Sequence, residues 1–149
     1  MIKNLNDFDI LTNMNRIDDA VQLFESGYMC SQAVFAAFST DFGVSRDDAL
    51  KIGACFGSGM RKAEVCGACT GALMALGLKY GDDKAKSNEI CEKFLDEFEK
   101  ENGSYICRDL LECDISTEEG VAFAREHNLF KEICPKMVES AAEIVEKLI

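Results

Sequence analysis

Apolar residues recur at three- and four-residue spacing in segment after segment, Pro135 is the only proline, and the β-branched alternation that marks strands is missing. A chain so patterned is committed to helices. The predicted fold is all-α, a compact bundle of about six to seven helices in a single domain over residues 1–149. Residues 1–14 are expected to be a loosely ordered N-terminal segment. A domain of 149 residues buries roughly two-thirds of its unfolded surface, so it holds a core without disulfide staples.

Ile17, Ala20, Val21 and Phe24 form one stripe of a first helix that stops at Gly27, and a second runs from Tyr28 to about Phe42. Its run Ala33-Val34-Phe35-Ala36-Ala37-Phe38 is apolar around most of the circumference, as is Ala72-Leu73-Met74-Ala75-Leu76 in a helix expected from Val65 to Tyr80. Helices of that kind belong in the centre. Ser45 caps a third helix and sets Asp47 and Asp48 against the positive end of its dipole. A long helix from Asp83 to Glu101 turns Ile90, Cys91, Phe94, Leu95 and Phe98 inward and ends at Gly103. Ser116-Thr117-Glu118-Glu119 has the form of a capping box and starts a short helix to about His127. Cys134-Pro135 opens a last helix with Met137, Ala141, Ile144, Val145 and Leu148 on its inner face.

Charge excludes several functions. With 16 Lys and Arg against 27 Asp and Glu, the net charge of −11 repels phosphate backbones and anionic headgroups, so neither nucleic acid nor a membrane surface is an expected partner. The single histidine, His127, rules out sites built from several histidines, and its polar neighbours Arg125, Glu126 and Asn128 place it on the surface rather than in a triad. The N-terminus lacks a basic start followed by an apolar run, and Gly77 breaks the longest apolar stretch, Ala72 to Leu78. Neither a signal peptide nor a membrane insertion is expected, and the expected location is cytoplasmic. In that reducing compartment eight cysteines point to metal binding, catalytic thiols or buried packing rather than a disulfide framework.

Cys66-Gly67-Ala68-Cys69 is the densest of these features, and at a helix start its free N–H groups and positive dipole end are expected to favour a Cys66 thiolate. Thr70 stands where a haem-binding CxxCH needs histidine, no βαβ pattern surrounds the motif as in thioredoxins, and a zinc ribbon would show a second CxxC. Cys30 follows the Gly27 break and Cys134 precedes Pro135, so three cysteines sit at predicted helix N-termini that together would make a positive pocket for thiolates or a metal cluster. Cys107 and Cys113 flank a short turn-rich piece suited to a ligand loop or a local cap, and Cys69 and Cys113 are further candidate ligands. Cys91 on the Phe94 and Phe98 stripe reads as packing, and Cys55 reads the same way less decisively. Phe56-Gly57-Ser58-Gly59-Met60 has neither GxGxxG nor a P-loop lysine. Gly57, Gly59 and Gly67 are instead candidate points of close backbone approach to whatever the cysteines hold.

Cys30-Ser31-Gln32-Ala33-Val34, the turn Phe56 to Met60, Cys66-Gly67-Ala68-Cys69-Thr70-Gly71, Leu73 to Gly81, Cys107 to Asp114 and Cys134-Pro135 together resemble the C_GCAxxG_C_C family of redox-active proteins, over about Gly27 to Leu148. The resemblance implies that the four defining cysteines are Cys30, Cys66, Cys107 and Cys134. It also implies redox chemistry, since some family members are encoded near transporter genes and the pattern is similar to the cluster-bearing part of certain multihaem cytochromes. The chain departs from the usual pattern at Cys55, at Cys69 and at Arg61-Lys62-Ala63, which replaces a more glycine-rich stretch.

The expected function is therefore a cysteine-based redox site formed by Cys30, Cys66, Cys107 and Cys134, either holding an iron-sulfur cluster or cycling a dithiol and disulfide. Four thiolates and converging helix dipoles tilt this reading slightly toward the cluster. The alternative is a non-enzymatic accessory to a transporter in which the same cysteines hold a structural zinc, and a third reading is an inert helical scaffold with buried thiols. The expected partner is an electron-transfer protein or a transporter, and the apolar central helices leave room for a homodimer. No second catalytic constellation names a substrate.

Overall fold

The structure, a computed structural model, describes residues 15–149, and the N-terminal segment expected to be loosely ordered lies outside them. Among the described residues the chain forms α1 (Arg16–Glu25), α2 (Cys30–Ser39), α3 (Arg46–Ile52), α4 (Gly67–Tyr80), α5 (Lys84–Asn102), α6 (Cys107–Leu111), α7 (Glu118–Glu126), α8 (Leu129–Glu132) and α9 (Cys134–Leu148). Polar caps start four of these where free N–H groups need an acceptor. Asn15 accepts from the Asp18 N–H at 2.8 Å, Ser45 from Asp48 at 3.1 Å, Asp83 from Lys86 at 3.1 Å and Thr117 from Gly120 at 3.0 Å.

The core is arranged around α2, whose residues Ala33 to Ser39 are all buried. α4 packs along one side of it, α1 and α3 flank it, and α9 lies across α1, α4 and α5. Phe38, Phe94, Phe98, Val138, Ile144 and Val145 fill the space between them. α2 and α4 come close because Gly71 has no side chain: a β-carbon there would stand 2.4 Å from the Ser31 carbonyl oxygen. Arg46 at the start of α3 pairs with the buried Asp19 of α1, so the one inward-facing carboxylate of that helix is answered.

A second, smaller cluster forms where Ala63, Cys107, Leu111, Ile115 and Ala124 pack together under α6, α7 and α8. The chain is thus an all-α domain with a main bundle and a cap of short helices, and the seam between the two holds the site described below. No helix among the described residues is long and apolar enough to cross a membrane.

Several boundaries differ from the sequence expectation for local reasons. The second helix ends at Ser39 and continues as a 3-10 turn, Thr40–Phe42, closed by Gly43 at φ 84°. Val65 lies outside α4, in an antiparallel bridge to Ile106. The cap of α7 is Thr117, whose third helical residue is Gly120, so no capping box closes; Ser116 turns back to the Asp114 carboxylate. The short helices α6 and α8, at 5 and 4 residues, fall below the length at which a helical period shows in sequence.

Candidate functional site

Four helices begin on or directly after a cysteine. Cys30, Cys107 and Cys134 are the first residues of α2, α6 and α9, and Cys66 immediately precedes α4. Their side chains line one cavity of about 220 Å³. Cys30 and Cys66 reach it from the main bundle and Cys107 and Cys134 from the cap cluster, so the cavity lies in the seam between the two packing units. Cys107, which the sequence left between a loop and a cap, thereby takes the same placement as the other three.

Short-range backbone pairing fixes these positions. On either side of the Val65 and Ile106 bridge, the Cys66 N–H donates to the Tyr105 carbonyl at 2.8 Å and the Cys107 N–H to the Glu64 carbonyl at 2.6 Å, which seats Cys66 and Cys107 on adjoining chains. The start of α2 is held by the two residues after Cys30. Ser31 donates its hydroxyl to the Gly53 carbonyl at 2.7 Å, while Gln32 accepts from the Met29 N–H and donates to the Leu50 carbonyl, both at 2.8 Å.

Of the three candidate glycines, Gly67 touches the sulfurs most directly: a β-carbon there would lie 2.4 Å from the Cys30 Sγ. Gly59 lines the cavity at φ 60°, where a β-carbon would meet the Glu64 backbone at 2.4 Å. Gly57 packs on the side chain of Met29, which lines the cavity, and is not itself part of the wall. Gly59 belongs to a left-handed turn in which Ser58, Met60 and Arg61 also have φ of 56°, 55° and 64°, with Ala63 following at 54°. A left-handed residue other than glycine costs on the order of 1–2 kcal/mol. The turn brings Ser58 against the cavity, where its amide and that of Ser31 favour a charged Cys30 sulfur.

The thiols do not behave as the helix dipoles alone would dictate. Cys30 is held well above its ordinary 9.0, first by its hydrogen bond with Cys66 and then by burial, against the pull of the two amides. For Cys66 the bond with Cys30 acts downward, but its hydrogen bond with Cys69 and its burial outweigh that and the Ala68 amide, and the net shift is upward. Cys107 and Cys134 are each pushed up to about 12, chiefly by burial, with the negative charge of neighbouring thiols adding to it. The expected thiolate at Cys66 is corrected accordingly: the interaction with Cys69 and then desolvation in an apolar seam exceed the stabilisation a helix start supplies.

The remaining cysteines divide clearly. Cys69 is fully buried in contact with Cys66 and lies behind the cavity wall; Cys113 is half-buried at the edge of the cap cluster beside Cys107. Cys55 is exposed, and Cys91 is half-buried in a separate recess with Leu73 and Gly77. Among the described residues no three Cys, His, Asp or Glu side chains gather closely enough to hold a single metal ion. Phe24, Leu110, Leu111, Ile115, Phe130 and Ile133 give the cavity apolar walls, and Met29 and Met137 add thioethers. Met29 was not foreseen although it adjoins Cys30, and Met137, expected on the inner face of the last helix, lies one helical turn from Cys134. His127 is exposed and stacked on Phe123, outside the cavity.

The model of a family described as "Putative redox-active protein (C_GCAxxG_C_C)" matches residues 28–148 of the chain. No curated protein and no solved structure gives a significant match.

Proposed function

The chain belongs to the C_GCAxxG_C_C family of redox-active proteins, and from that premise we propose that Cys30 and Cys66 are an exchanging dithiol, with Cys107 and Cys134 completing the site. The observation that carries this reading is the adjacency of Cys30 and Cys66: both line the same cavity, and the Cys30 sulfur rests against Gly67, the residue that follows Cys66. Two thiols in contact form a disulfide by losing two electrons and two protons, and thiol–disulfide exchange delivers both to an acceptor disulfide. Cys30, the less buried of the two, is the thiol an incoming molecule meets first, and Cys66, only 7% exposed, is placed to resolve the mixed disulfide.

A second reading is favoured by a different observation, the presence of all four family cysteines on one cavity where no three converge on a single ion. That donor set and its apolar surroundings suit an iron-sulfur cluster held by Cys30, Cys66, Cys107 and Cys134, which would supply one-electron transfer. The two readings separate in one preparation. Protein purified without oxygen is assayed for iron and then oxidised and mapped for disulfides. A Cys30–Cys66 crosslink from iron-free protein, absent in Cys66→Ser, supports the dithiol; near-stoichiometric iron that is lost in Cys66→Ser assigns the cluster instead.

A further inference from the structure

Charged residues make up 29% of the chain, yet none of the described residues that line the cysteine cavity is charged. Cations that adjoin the lining cysteines in sequence are directed elsewhere. Arg108, next to Cys107, is exposed and bonded to the Glu64 carboxylate at 2.7 Å and the Lys62 carbonyl at 3.0 Å. Lys136, between Pro135 and Met137, is exposed and does not line the wall. The polar side chains in the lining are Tyr28, Ser58 and the four cysteines, and Tyr28, 40% exposed, stands where the cavity meets solvent.

We propose that the cavity selects its redox substrate by charge, admitting a small uncharged disulfide and rejecting anionic and cationic ones. The inference rests on the dithiol reading above and adds the class of molecule with which the dithiol exchanges. A charged group entering an apolar cavity sheds its hydration shell and meets no charged side chain there, a penalty of several kcal/mol that the partial positive charge of the helix starts offsets only in part for an anion. An uncharged molecule has no such barrier and gains from apolar burial. In the reaction the Cys30 sulfur attacks R–S–S–R, forming a mixed disulfide and releasing one RSH that carries the Cys30 proton. The Cys66 sulfur then attacks the mixed disulfide, closing Cys30–Cys66 and releasing a second RSH with the Cys66 proton. Two protein thiols are oxidised and one small disulfide is reduced to two thiols.

Three disulfides of nearly equal size test the proposal: uncharged bis(2-hydroxyethyl) disulfide, dicationic cystamine and dianionic dithiodiglycolate. Each is mixed with fully reduced protein, and quenched samples are peptide-mapped over time for the Cys30–Cys66 bond and for modification of Cys55. Exposed Cys55 corrects for the intrinsic reactivity of each reagent and for attraction of cations to a chain of charge −11. The expected result is a Cys30–Cys66 rate, relative to Cys55, at least tenfold higher with the uncharged reagent than with either charged one. Equal ratios for cystamine or dithiodiglycolate would overturn the proposal while leaving the dithiol intact. If no reagent forms the Cys30–Cys66 bond, the dithiol reading fails and the proposal with it. Tyr28→Glu, at the solvent edge, should raise the relative rate with cystamine several-fold, and an unchanged ratio counts against charge selection.

Discussion

The Cys30 sulfur rests on the backbone of Gly67, so closely that a β-carbon at position 67 would stand 2.4 Å from it. The same β-carbon would lie 3.2 Å from the Ser31 N–H nitrogen and from the Phe56 carbonyl oxygen, so an added methyl has no room to shift away from the sulfur. Gly67→Ala is expected to cost about 1–3 kcal/mol, the range for overpacking a tight contact. It should also slow closure of the Cys30–Cys66 bond, because the intruding methyl displaces one of its two sulfurs. Thermal unfolding and timed disulfide mapping read the two effects separately; an unchanged closure rate would show that Gly67 matters for packing alone.

Gly77 lies on the same helix and predicts the opposite sign. A β-carbon there meets nothing within 4 Å. Since glycine inside a helix is less favourable than alanine by roughly 0.5–1 kcal/mol, Gly77→Ala should stabilise the protein by about that amount. Urea unfolding of the two variants side by side gives the comparison, and a destabilised Gly77→Ala would contradict the open space seen around α4 at that turn.

The contrast between these glycines shows what sequence could and could not convey. Helix periodicity made α1, α5 and α9 legible, because each turns a stripe such as Ile90, Phe94 and Phe98 to the core, while α2 and α4 were legible as runs apolar around most of their circumference. Cysteine placement made Cys30, Cys66 and Cys134 legible as residues at helix starts. Gly67 and Gly71, four residues apart, carried a readable signal of close helix approach, the small-residue spacing that lets two backbones meet. Position 107 was obscured because a helix of 5 residues has no period. The protonation of the thiols was obscured for a deeper reason: a helix start is local and visible in sequence, whereas desolvation depends on Leu111, Ile115 and Phe130, which reach the cavity from elsewhere in the chain.

Protonated thiols make stability fall in alkali. Cys134 has an ordinary value of 9.0 and is held at about 12 in the folded chain, chiefly by burial and secondarily by Cys30. Between those values the folded chain keeps a proton that the unfolded chain has lost, so the unfolded state binds fewer protons and stability decreases as pH rises. The contribution is complete below about pH 9 and disappears as pH climbs toward 12. Cys134→Ser removes this titration. The melting temperature of the variant should therefore fall less steeply than that of the parent between pH 8 and about 10.5, and parallel slopes would refute the burial argument for Cys134.

The left-handed turn beside the cavity carries its own prediction. Arg61 is exposed and holds φ at 64°. Its side chain gains nothing from burial there, while its β-carbon bears the strain of the left-handed region, worth roughly 1–2 kcal/mol. Glycine removes that strain but is itself more flexible when unfolded, which offsets part of the gain. Arg61→Gly should therefore stabilise the protein by up to about 1 kcal/mol and leave disulfide closure at Cys30–Cys66 unchanged. Arg61→Ala, which keeps a β-carbon, should give no such gain. If the two variants unfold at the same denaturant concentration, the backbone at position 61 is not the source of strain, and the left-handed turn owes its shape to Ser58 and Met60 instead.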